Sequence, residues 1–176
     1  MKKYIIAASI IAIIIATFLP IQPPIEREEG TTMVFIDPLT IPFSSNFSIN
    51  VSCAPSRPVK GFEFRLSFNS TLLQANSVTE GDFFEGYATF FSPGIINNSE
   101  GTIINIYNLI VGKGNITHNG TLVTINFTAK DKIGASEINL HNVGLTNEST
   151  YIPVAVYNGS INIEEAYVMM LTIPGT

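Results

Sequence analysis

The chain has 176 residues, a formal net charge of −5, 45% apolar residues, a single cysteine and no tryptophan. An acidic chain without a basic stripe is a poor nucleic-acid binder, because phosphate contacts need clustered Lys and Arg. One cysteine excludes an intramolecular disulfide framework.

The N-terminus reads as an export segment. Lys2 and Lys3 are followed by an uncharged, Ile-rich run from Tyr4 to Leu19. That is the charge-then-apolar order of a signal peptide. The run falls short of the roughly 20 residues that span a bilayer, and Pro20, Pro23 and Pro24 end any helix. Residues 1–24 are therefore expected to be a signal peptide, or a signal-anchor helix if uncleaved. Any membrane contact is confined to residues 4–19. Residues 25–31 form a short charged linker, and strand-like composition begins at Thr32.

About 130 residues follow, enough for one core. No heptad and no long helical period occurs, and short strand signals recur instead. The predicted strands are 33–36, 46–53, 62–68, 72–78, 87–91, 102–109, 121–130, 137–143, 152–157 and 160–163. Cys53 is in phase with Phe47, Ile49 and Val51, as a buried thiol would be. In the third strand Phe62, Phe64, Leu66 and Phe68 alternate with Gly61, Glu63, Arg65 and Ser67, one dry face against one wet face. Asn119-Gly120 and Asn158-Gly159 suit two-residue hairpin turns, while Ser92-Pro93-Gly94 marks a looser loop. The pattern predicts an all-β fold of about nine antiparallel strands, a jelly-roll β-sandwich. An immunoglobulin-like sandwich is the alternative, without its Cys…Trp…Cys signature.

Three segments carry a family resemblance. Residues 61–84 run from the amphipathic strand through a polar turn and Leu72-Leu73 to a Gly81-Asp82-Phe83-Phe84 corner. Residues 115–130 place Val123, Ile125, Phe127 and Ala129 inward and end on Lys130. Residues 134–163 give an alternating strand, Ile-Pro-Val, then Asn-Gly-Ser before the last strand. In this order they resemble a cohesin domain over residues 32–164. The Ile- and Asn-rich composition has an archaeal flavour. The resemblance implies a non-catalytic extracellular module that docks a dockerin-bearing protein across one sheet face. Glu63, Arg65 and Ser67 would then meet the partner, with Tyr87, Asn105 and Tyr107 beside them. Duplicated Asp-x-Asn-x-Asp-Gly loops of the dockerin type are missing here, which places a dockerin, and any calcium it carries, on another chain.

Nine Asn-x-Ser/Thr sequons occur, against roughly three expected from composition. Asn46, Asn50 and Asn126 follow from polar alternation along strands. Asn69, Asn97, Asn115, Asn119, Asn147 and Asn158 are the candidate glycosylation sites. His118 and His141 lack the partner spacing of a zinc or nucleophile-base site. Glu80, Asp82 and Glu85 flank two glycines and are the only calcium candidates, but they match no EF-hand loop and are read first as a solvated acidic corner. No cofactor is expected. Scattered carboxylates give no specific reason to expect an enzyme.

Two alternatives to dockerin docking remain open. A carbohydrate-binding module of related fold would bind polysaccharide on exposed aromatics, here only Tyr87, Tyr107, Tyr151 and Tyr157. A surface-filament subunit would exchange strands, with the apolar tail at 165–176 adding to an open sheet edge.

Overall fold

The computed structural model describes residues 30–165. The predicted signal or anchor helix and the apolar part of the tail lie outside them. Twelve strands make up the fold: β1 Thr32–Ile36, β2 Leu39–Pro42, β3 Asn46–Ala54, β4 Gly61–Ser67, β5 Leu73–Glu80, β6 Thr89–Asn97, β7 Thr102–Ile110, β8 Gly120–Ala129, β9 Gly134–Thr146, β10 Tyr151–Ile152, β11 Val154–Tyr157 and β12 Gly159–Glu164. There is no helix among the described residues. A small sheet of five strands runs β11-β1-β3-β8-β5, and a large sheet of seven runs β2-β12-β9-β4-β7-β6 with β10 on β9. The two pack face to face as a jelly-roll sandwich.

The core forms where alternating strands turn their apolar sets toward each other. Phe62, Phe64, Leu66 and Phe68 are buried, as are Val123, Ile125, Phe127, Ala129 and Cys53. Phe127 lies 5.7 Å from Phe47 in a stacked pair and 5.2 Å from Phe68 edge-on. The corner at 81–84 is part of this core. Phe84 stacks on Phe62 at 5.8 Å, while the Asp82 carboxylate accepts the Thr121 amide at 2.6 Å and pins the start of β8.

The expectation of about nine antiparallel strands is corrected in number and in direction. Leu39–Pro42 escaped sequence reading because Pro38 and Pro42 bracket it, yet it pairs parallel with β12 at the sheet edge, where proline is tolerated. The predicted strand 152–157 is split at Pro153, and its second half pairs parallel with β1.

The two Asn-Gly pairs are also not hairpin turns. β7 and β8 belong to different sheets, as do β11 and β12, so both pairs lie on crossovers, and none of the four residues has positive φ. Their glycines serve close approach instead. A Cβ on Gly159 would lie 2.9 Å from that of Ile36, and one on Gly120 would lie 3.1 Å from the Phe83 Cα.

Ser92-Pro93-Gly94 is not a loop. It lies within β6, an edge strand that leaves Pro93 without a ladder bond to lose.

Candidate functional site: the outer face of the large sheet

β4 runs through the middle of the large sheet with β7 on one side and β9 on the other. Both neighbours bulge at the same level. Between the pairs Phe64↔Ile106 and Leu66↔Ile103, Arg65 faces two residues of β7, Ile104 and Asn105. Between Glu63↔Gly144 and Arg65↔His141, Phe64 faces Asn142 and Val143 of β9. Asn105 (φ 60°) and Asn142 (φ 52°) take the left-handed conformation at these bulges. Asparagine tolerates that region better than most side chains. On β6, Gly94 (φ 79°) stands at the same level, and a Cβ there would come within 2.5 Å of the Ile104 carbonyl. Ser92 fixes this arrangement by donating to the Asn105 carbonyl at 3.0 Å.

A bulge adds one residue and reverses the alternation beyond it. In β7 this turns Asn108 inward, 2% exposed, and leaves Ile104, Tyr107 and Leu109 facing out. The bulges also bend the face into a shallow groove of about 510 Å³, lined among others by Glu63, Arg65, Asn105, Tyr107, Ile95 and Asn142. Four of the six residues expected to meet a partner thus line one depression. Ser67 lies beyond its rim, bonded to His141 Nε2 at 2.8 Å. Tyr87 does not join them. It packs over Gly114, leaving no room for a Cβ there, and lines a separate hollow with Glu80, Asp82 and Glu85.

The face is chemically divided. On the β6–β7 side, Phe90 pairs with Leu109 and Ile95 with Ile104. These four are between 37% and 60% exposed. On the β4–β9 side the surface is polar and charged. Glu63 accepts the Tyr151 hydroxyl at 2.8 Å. That bond, then the charge of Glu63, raises the Tyr151 pKa. Among the described residues the Arg65 side chain makes no hydrogen bond or ion pair, and Lys60–Glu148 at 3.6 Å is the one salt bridge. An exposed guanidinium with five unused donors can take a carboxylate or carbonyl from outside.

Sequence reading missed Ser92, Ile95 and Asn142. The predicted strand at 87–91 caught only the start of β6, and the rest, from Ser92 to Asn97, was hidden by the turn-like Pro-Gly pair. Asn142 carried one usable signal, since an asparagine that breaks strand alternation often marks a left-handed bulge.

The acidic corner has one oxygen each of Glu80 and Asp82 committed, while the Glu85 carboxylate has no hydrogen-bond partner among the described residues. Glu80 Oε1 accepts from Asn108 and Thr89 at 2.7 and 2.8 Å, and Asp82 holds the Thr121 amide. No three metal-ligating side chains converge among the described residues. Nor do the four tyrosines form one platform. Tyr107 and Tyr151 share a hollow beside the groove, Tyr87 lines another, and Tyr157 is on β11 in the small sheet.

The cohesin-domain family model matches residues 43–163. The chain belongs to the cohesin family. Comparison with curated proteins gives no match. Among solved structures, a non-cellulosomal cohesin from the hyperthermophilic archaeon Archaeoglobus fulgidus superposes with a TM-score of 0.61 at 17% identity, covering 77% of this chain and 92% of that one. A cohesin in complex with a dockerin from Acetivibrio cellulolyticus gives 0.62 at 20% identity, over 76% and 99%. A type I cohesin–dockerin complex from Clostridium thermocellum gives 0.64 at 14% identity, over 82% and 100%. At these identities the superpositions establish the fold.

Proposed function

We propose that this cohesin is a non-catalytic binding module, exported to the cell surface, whose large-sheet outer face docks a dockerin-bearing protein. The observation that carries the reading is the divided face, on which an unpartnered Arg65 side chain and the Glu63–Tyr151 pair lie beside four exposed apolar side chains. A central anchor beside a desolvatable apolar surface is how binding energy concentrates in protein interfaces. Family membership and the dockerin complexes among its structural relatives supply the partner class. The Lys2-Lys3 and apolar opening supports export.

The test is capture from the host's secreted proteins, with calcium present, on the immobilised chain. A retained protein carrying duplicated Asp-x-Asn-x-Asp-Gly loops, lost on Arg65→Glu, is the expected result. Equal capture by Arg65→Glu would remove this face from the interaction. Retention on a polysaccharide with no protein captured would replace the reading with carbohydrate binding.

A further inference from the structure

The nine sequons are distributed unevenly over the fold, and docking does not account for them. Within the large sheet the outward positions hold Asn105, Asn139, Asn142 and Asn162, none of which begins a sequon, and the one large-sheet sequon, at Asn97, begins on the last residue of the edge strand β6. Three sequons, at Asn46, Asn50 and Asn126, lie on paired strands of the small sheet. There the asparagines are rungs of a side-chain ladder. Thr128 donates to Asn46 at 2.7 Å, Thr124 to Asn50 at 2.9 Å and Ser48 to Asn126 at 2.6 Å. Asn126 also spends its own amide nitrogen, donating to Ser77 Oγ at 2.9 Å in a half-buried position. A sugar on that nitrogen would break the rung and need space the ladder occupies.

The other six lie at strand ends and loops. Asn69, Asn97 and Asn147 share one arrangement, in which Oδ1 accepts the amide of the residue two positions on, at 2.9, 3.1 and 2.8 Å. At Asn69 the sequon's own Thr71 hydroxyl also donates to Oδ1, at 2.8 Å. Asn158 uses Oδ1 to accept the Leu140 amide at 2.9 Å. In all four the carbonyl end of the carboxamide is tied down, and Nδ2 has no partner among the described residues. Asn115 and Asn119 are exposed on the loop before β8.

We propose that Asn69, Asn97, Asn115, Asn119, Asn147 and Asn158 are N-glycosylation sites, and that Asn126, whose Nδ2 is spent on the ladder, stays free of sugar. The donor required is an oligosaccharide activated as its lipid-linked phosphate, with a transferase. Nδ2 bonds to the anomeric carbon, the carbon–oxygen bond to phosphate breaks, the lipid phosphate leaves with that electron pair, and Nδ2 gives up one proton. Glycans so placed would cover the sandwich ends against proteolysis. The assignment stands whether or not the partner is a dockerin.

Peptide mapping by mass spectrometry of the protein purified from its native source tests this. The expected result is glycan mass on loop peptides and an unmodified Asn126 peptide, with Asn115→Gln losing one glycan increment while its melting temperature holds. Bare loop peptides throughout, or a glycan on Asn126, would overturn it.

Discussion

Arg65 and Cys53 are opposite cases of a reactive side chain in one sandwich. Arg65 stands on the outer face with its donors unused, so replacing it leaves the core untouched. We expect Arg65→Glu to fold with wild-type stability and to weaken partner binding by ~2 kcal/mol, about 30-fold in Kd, measured by calorimetry with the captured protein. Cys53 is fully enclosed between the sheets, and burial pushes its thiol from 9.0 up to about 12. The native protein should therefore resist thiol reagents at mildly alkaline pH and react only once denatured. The folded-state pKa is the higher one, so the contribution of the protonated thiol is complete below the unfolded value of 9.0 and is lost as pH rises toward 12. Rapid labelling of native protein would contradict this. Tyr151 is shifted in the same direction by Glu63, but on the surface. In Glu63→Gln the absorbance titration of tyrosine should move to lower pH.

At the scale of the strand, alternation is a sound guide until a bulge intervenes. The inward sets of β4 and β8 were legible because eight or more residues keep period two and the apolar members are large. β6 was not, because Pro93 and Gly94 are turn residues by local preference, and only pairing on the sheet edge makes a strand of them. The groove arises at these irregularities, so the residues that shape it carry the weakest sequence signal. This gives a test of the bulges themselves. Asn105→Gly and Asn142→Gly keep the left-handed backbone and should fold normally. A β-branched replacement, Asn105→Val, should cost ~1–2 kcal/mol in chemical denaturation. It should also lower partner affinity, since relaxing the bulge would return Tyr107 toward the core phase. Loss of stability with unchanged affinity would show that the groove does not depend on the bulge.

At the scale of the whole molecule the two sheet faces differ in chemistry. The small sheet covers its outer side with an uncharged Asn, Ser and Thr ladder, while the large sheet presents charge beside apolar surface. Both are held by a core of aliphatic and phenylalanine side chains in which Cys53 is a free thiol, and one oxygen each of Glu80 and Asp82 is spent on hydrogen bonds within the chain. Asp82 shows the consequence. Its carboxylate already caps the Thr121 amide at the start of β8, a charge-assisted bond inside the Phe83–Phe84 corner. Asp82→Ala should cost ~1–3 kcal/mol by orphaning that amide, whereas a chelator should leave the melting temperature of the isolated protein unchanged. The same chelator should abolish capture of a partner whose own loops hold calcium. Melting the chain alone and in complex, each with and without chelator, separates the two. A fall in the melting temperature of the chain alone would place a cation in this fold after all, and would make the acidic corner a metal site rather than a strand anchor.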